Sequence, residues 1–119
     1  MDEMNFPEGL YWVLDEDNIP RPARDMEEVY SYMGDSGKKR RVAWTIVGDF
    51  EVSTVFLVIA HGYRYMIEPN AMPDLFETMV FGGEKEYQWR YTSYEKALEG
   101  HERVVQCLKD RGPCELEEI

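Results

Sequence analysis

The chain has 119 residues, 44% of them hydrophobic and 13% aromatic, long enough for one core and too apolar for disorder. Thirteen Lys and Arg against 24 Asp and Glu give a net charge of −11, which disfavours direct contact with nucleic acid or anionic membrane. No apolar run approaches the roughly 18 residues of a membrane span, and the acidic MDEMNFPEG start has no basic flank or apolar stretch of a signal peptide, so a single cytoplasmic domain is expected.

In chain order, residues 1–9 read as a loose acidic lead. Leu10 to Leu14 is a short strand candidate stopped by DEDN, and Pro20 and Pro22 are expected to keep the next stretch irregular. Asp25 fits a helix N-cap, with Glu27 and Glu28 where the helix dipole favours acids. Met26, Val29, Tyr30 and Met33 follow at helical spacing, and Gly34 fits a C′ residue ending a short helix. SGKKRR then reads as a loop. Its Lys38-Lys39-Arg40-Arg41 cluster is a weak nucleic-acid signal that fits a solubilised strand flank better.

From Arg40 to Ala60 the dominant period is two. Val42, Trp44 and Ile46 alternate on one side of Gly48-Asp49, and Val52, Thr54, Phe56 and Val58 on the other, predicting an antiparallel hairpin. The continuous apolar run Val55 to Ile59 predicts a central strand covered on both faces. His61 to Asp74 is a long apolar-rich connection, and Leu75–Phe81 and Tyr87–Tyr91 are two further strands joined by GGEKE. Thr92 is preferred over Ser93 as the cap of the last helix, because it makes a capping box with Glu95. Tyr94, Ala97, Leu98, His101, Val104, Val105 and Leu108 share one helical face, and Gly100 would admit a close neighbour. Arg111-Gly112-Pro113 stops the helix, leaving 112–119 as a loosely ordered acidic tail. The expected fold is α+β: an antiparallel sheet of four to five strands, a long C-terminal helix on one face and a short N-terminal helix.

Chemistry-bearing residues are sparse. His61, Glu77 and His101 could hold a metal or form an acid–base pair, but they lack HxH, HxxxH or HExxH spacing. The alternative is a core-edge histidine, a solvent-facing histidine and an outward glutamate. Cys107 and Cys114 fit neither a CxxC nor a zinc-ribbon pattern and read as free thiols. No nucleophile elbow or phosphate loop is present, so no catalytic residue and no cofactor is assigned. Tyr87, Trp89 and Tyr91 share strand parity, either as core beneath the helix or as an aromatic surface. Tyr63, Tyr65 and Trp89, with the acidic Glu84 and Glu86, are the candidate partner-binding residues.

VSTVFL at 52–57, His61, LFETMVFGG at 75–83 and RYTSYEKALEGH at 90–101 resemble a family of small uncharacterised proteins encoded by bacteriophages and bacteria. YWVLDEDNIP and RRVA are similar to that family's start. Where the family runs into Gly-Leu-Asp-His, this chain has Val58-Ile59-Ala60-His61, without the acid. The resemblance implies a phage or prophage setting and no catalytic activity. The leading expectation is therefore an acidic, non-enzymatic protein that binds a host protein, with inhibition of a host defence or nucleic-acid-handling system as one form of that role. A homodimer is compatible with this. The alternatives are a metal-dependent protein using His61, Glu77 and His101, and a minor virion or assembly component.

Overall fold

The computed structural model describes residues 6–34, 40–68 and 70–118, with Tyr63, Arg64, Cys114 and Glu118 described by their backbone alone. Lys38, Lys39 and the first five residues of the acidic lead lie outside the described residues. The fold is α+β. Four strands form an antiparallel meander in sequential order: β3 (Arg41–Val47), β4 (Phe50–His61), β5 (Asp74–Phe81) and β6 (Tyr87–Tyr91). Ahead of them, β1 (Trp12–Leu14), β2 (Pro20–Pro22) and the helix α1 (Met26–Met33) make a small N-terminal unit. The short helix α2 (Tyr63–Ile67) interrupts the expected long loop, and the long helix α3 (Tyr94–Asp110) lies across all four sheet strands.

The central hairpin forms as its pattern dictates. Val47 pairs with Phe50, so Gly48 and Asp49 alone make the turn, and Gly48 has the positive φ of 61° that such a turn needs. The prolines are a correction. Pro20 and Pro22 sit inside a strand, opposite Leu14 and Trp12. The flanking bonds Asp15 N–H to Ile19 O and Ala23 N–H to Tyr11 O place the bonding positions at odd residues. The ring nitrogens therefore face away from β1, where a proline costs the ladder nothing.

β4 changes partner along its length. Its pairing with β5 runs from Glu51↔Phe81 to Phe56↔Phe76, breaks, and resumes at His61↔Asp74. Within this wide bulge Val58 has φ 72°, a strained setting for a β-branched residue, yet its side chain is buried. The diverted backbone meets the N-terminal unit instead: Ile59 bridges Tyr11, and Ala60 N–H donates to Leu10 O at 2.8 Å. This junction carries the first core cluster, in which Trp12, Val13, Val29 and Tyr32 pack with Phe56, Val58 and Phe76.

Helix caps and faces also depart from expectation in places. Asp25 caps α1 by accepting from Glu28 N–H, as expected. Gly34 closes it as the C-cap, in a right-handed conformation, rather than as the expected C′ residue. The buried side of α1 is Val29 and Tyr32, while Tyr30 and Met33 are exposed. Ser93, not Thr92, caps α3, accepting from Lys96 N–H at 3.1 Å, so no capping box with Glu95 forms. The buried stripe of α3 is Ala97, Gly100, His101, Val104, Val105, Cys107 and Leu108, and Leu98 is exposed. Burying Val104, Val105 and Leu108 contributes roughly 1.5–3 kcal/mol each before entropy is charged. The tail is ordered as well. Pro113–Glu118 forms a 3-10 turn that inserts Leu116 into the second core cluster with Val52, Val80 and Leu108.

Candidate interaction face

The two faces of the sheet are built from opposite parities. The face beneath α3 carries Val52, Thr54 and Phe56 on β4 and Phe76, Thr78 and Val80 on β5, all buried. Tyr87, Trp89 and Tyr91 of β6 lie on the same side, partly buried against the two core clusters. Trp89 stacks on Tyr87 with ring centroids 6.1 Å apart. The candidate binding residue Trp89 is thus used in packing, as its parity with two tyrosines allowed.

A buried polar chain ties this face to the helix. His101 is 1% exposed, with Nε2 2.9 Å from Thr45 Oγ1 and Nδ1 2.7 Å from Thr54 Oγ1. Thr54 Oγ1 is in turn 2.5 Å from Thr78 Oγ1, and Thr78 bonds the Tyr91 phenol. With a neutral imidazole one ring nitrogen donates and the other accepts, so the hydroxyls of Thr45, Thr54, Thr78 and Tyr91 are all partnered along the chain. Burial pushes the His101 pKa down, with Glu102 opposing weakly, so the neutral form fits. Burial likewise pushes the Tyr91 phenol up, against the Thr78 hydrogen bond. Gly100 exists for this contact: a Cβ there would stand 2.2 Å from the Tyr91 hydroxyl oxygen. The chain fixes the helix on the sheet, since a polar group stranded there would be costly.

On the opposite face Leu75 is fully buried in the first core cluster, but from the Glu77 position, of the same parity, to the Gly48-Asp49 turn this face has no covering layer among the described elements. Cross-strand pairing lays its side chains in three rows. Arg41, Val55, Glu77 and Arg90 form the first, Trp44, Ser53, Met79 and Gln88 the second, and Ile46, Glu51 and Phe81 the third. Trp44 is 46% and Ile46 52% exposed, and Val55, Met79 and Phe81 are half-buried. The expectation that β4 is covered on both faces is therefore corrected: its odd residues look outward.

Charge on this face is internally matched. Arg90 Nε donates to Glu77 Oε2 at 3.1 Å, and Trp44 Nε1 donates to Glu51 Oε2 at 2.5 Å. The Arg41 guanidinium lies 5.5 Å from the Trp44 ring centroid, a cation–π contact. Two arginines offset two glutamates, leaving an electrically neutral patch of mixed apolar and polar side chains on a chain of net charge −11.

The other candidate residues fall elsewhere. Glu77 is on the open face, His101 is beneath the helix, and His61 is at the far end of β4 opposite Asp74. The three do not converge, and among the described residues no cluster of three His, Cys, Asp or Glu could hold a metal. Cys107 is buried and free. The Tyr65 hydroxyl donates to Gly9 O at 2.9 Å, which spends it on holding the lead, and the Tyr63 side chain lies outside the described residues. Glu84 and Glu86 are exposed beside Lys85, whose bond to Glu117 at 2.8 Å straps the β5–β6 turn to the C-terminal 3-10 turn. Glu84 and Lys85 line an open cleft of about 430 Å³ with Phe50, Tyr87 and Pro113.

A larger cleft of about 1010 Å³ runs along α1 and β2 past Arg21, Arg24 and Glu28. Here Glu28 is already neutralised. Hydrogen bonding from Arg21, first of several donors, holds its carboxyl at about 2. Sequence reasoning missed the open face because an apolar run does not reveal how many layers cover it. The parity of Trp44, Ile46, Met79 and Phe81, set against the single amphipathic helix available to cover a sheet, is the signal that could have found it. Comparison with protein-family models, with curated proteins and with solved structures gives no match to this chain.

Proposed function

We propose that this protein is a non-enzymatic recognition module, phage- or prophage-encoded, that binds a host protein through the open face of its sheet. The observation that carries this reading is a charge-balanced surface on an otherwise acidic molecule, with Trp44 and Ile46 exposed and Val55, Met79 and Phe81 half-buried among matched charges. Patches of this kind on small proteins mark interaction sites. Trp and Arg are the residue types that most often dominate them. The surrounding acids would steer a partner with a basic rim toward the patch and would repel nucleic acid. Glu84 and Glu86, exposed at one end of the molecule, belong to that steering field.

The test is capture from host lysate with the wild-type chain and with Met79→Glu, which places a charge at the centre of the patch. A partner that is retained by the wild type and lost by a folded Met79→Glu supports the reading. Equal retention by both chains, or no partner above background at low and moderate salt, overturns it.

A further inference from the structure

The sheet ends at β3, and no described strand pairs with its outer side. Edge strands are normally blunted by charge, proline or a short length. β3 has seven residues, RVAWTIV, with no charge after Arg41 and no proline. Its ladder with β4 is closed by Val47↔Phe50 across a two-residue turn, which makes Val47, Thr45 and Ala43 the inward-bonding positions. The N–H and C=O of Trp44 and Ile46 therefore point out from the edge, with no described strand to receive them.

The ends of this strand carry opposite charge. Arg40 and Arg41 stand at its start, and Asp49 stands in the turn at its finish. An antiparallel copy of the same strand would set basic start against acidic turn at both ends, the self-complementarity that a twofold interface requires.

We propose that β3 is a dimerisation edge and that its occupant is the β3 of a second copy, antiparallel, on a twofold axis at Thr45. Trp44 then exchanges backbone hydrogen bonds with Ile46 of the second copy, and Ile46 with Trp44, while Thr45 faces its own counterpart. Arg41 of each copy lies beside Asp49 of the other. The bulge between Arg41 and Ala43 limits the regular ladder to Ala43–Val47. Both helices stay on one side, and the two open faces join into one eight-stranded surface. β6 is the weaker candidate, since it has five residues and carries Arg90. The inference stands apart from the proposed recognition role: a dimer that captures no host protein leaves it intact.

Sedimentation equilibrium of the full chain tests it, at concentrations up to about 100 μM, where even a Kd of about 10 μM gives mostly dimer. The expected mass is twice 14.0 kDa. Ile46→Pro, which removes one outward N–H, returns the mass to that of a single chain. Arg41→Asp and Asp49→Arg each weaken the dimer about tenfold, and the double exchange restores it, because opposite charges again face each other. Both residues are exposed, and circular dichroism confirms that each variant is folded. A wild-type chain that stays at 14.0 kDa throughout overturns the proposal. So does a dimer indifferent to these substitutions, or one that the double exchange fails to restore.

Discussion

The two faces of this sheet are made from neighbouring residues of the same strands, and they behave as different materials. Beneath α3, Phe56 and Phe76 are fully buried, and every polar group of the His101–Thr54–Thr78 chain has a partner. One residue away, Val55, Glu77 and Met79 look outward, and their charged neighbours are matched within the face rather than with a covering layer. The difference shows that a strand's alternation sets up two surfaces, while the number of layers in the chain decides which of them is core. Among the described elements one helix is long enough to cover the sheet, and it covers one face.

The largest contrast between the faces should appear in stability. Phe76→Ala, on the covered face, is expected to cost about 3–5 kcal/mol in denaturant unfolding, because it opens a cavity among packed rings. Met79→Ala, on the open face three residues away, should cost no more than about 1 kcal/mol. Similar losses at the two positions would show that the open face is core after all.

Next in size is Gly100→Ala. In an exposed helix this change gains up to about 1 kcal/mol. Here the new methyl meets the Tyr91 ring, and a net loss of about 1–3 kcal/mol is expected. Adding Tyr91→Phe would not recover it fully, since ring carbons also lie 2.3 Å from the added Cβ.

A chain ending at Gly112 should lose roughly 1.5–3 kcal/mol with the burial of Leu116.

The smallest effect concerns pH. The His101 pKa is lowered on folding, so the unfolded chain binds the proton more readily. The stability tied to the neutral imidazole is full above the ordinary value of 6.5 and falls as pH drops below it. Glu28, held at about 2, keeps its contribution until pH passes below its ordinary 4.5. Melting between these two values therefore isolates His101. The wild type should lose melting temperature there, and His101→Asn, although less stable, should show a flatter profile.

Much of this architecture was legible in the residues. The hairpin around Gly48-Asp49 announced itself through period-two alternation and a turn pair that tolerates positive φ, and the last helix through its 3.6-residue stripe. Other features depend on information that spacing does not carry. The prolines of β2 are admitted because their nitrogens point away from the ladder, a matter of register. Leu98 is exposed because the buried side of α3 is centred on His101 and Val104, over a sheet that the helix sequence does not describe. Leu116 is a single apolar residue among acids, with no period to betray its burial. Among the site residues, Glu77 was legible as outward; Trp89, open between core and aromatic surface, packs under the helix, and Tyr65, a candidate binding residue, makes a backbone hydrogen bond. The Arg40–Asp49 polarity of β3 acquires meaning only once β3 is known to be the edge.

The claim on which the account rests is that one face of the sheet holds the molecule together and the other is free to bind. It is tested most directly by measuring melting temperature and host-protein capture on the same preparations of wild type and Met79→Glu. The account predicts nearly equal melting and loss of the captured protein in the variant. Collapse of the fold in Met79→Glu, or undiminished capture by it, would contradict the account.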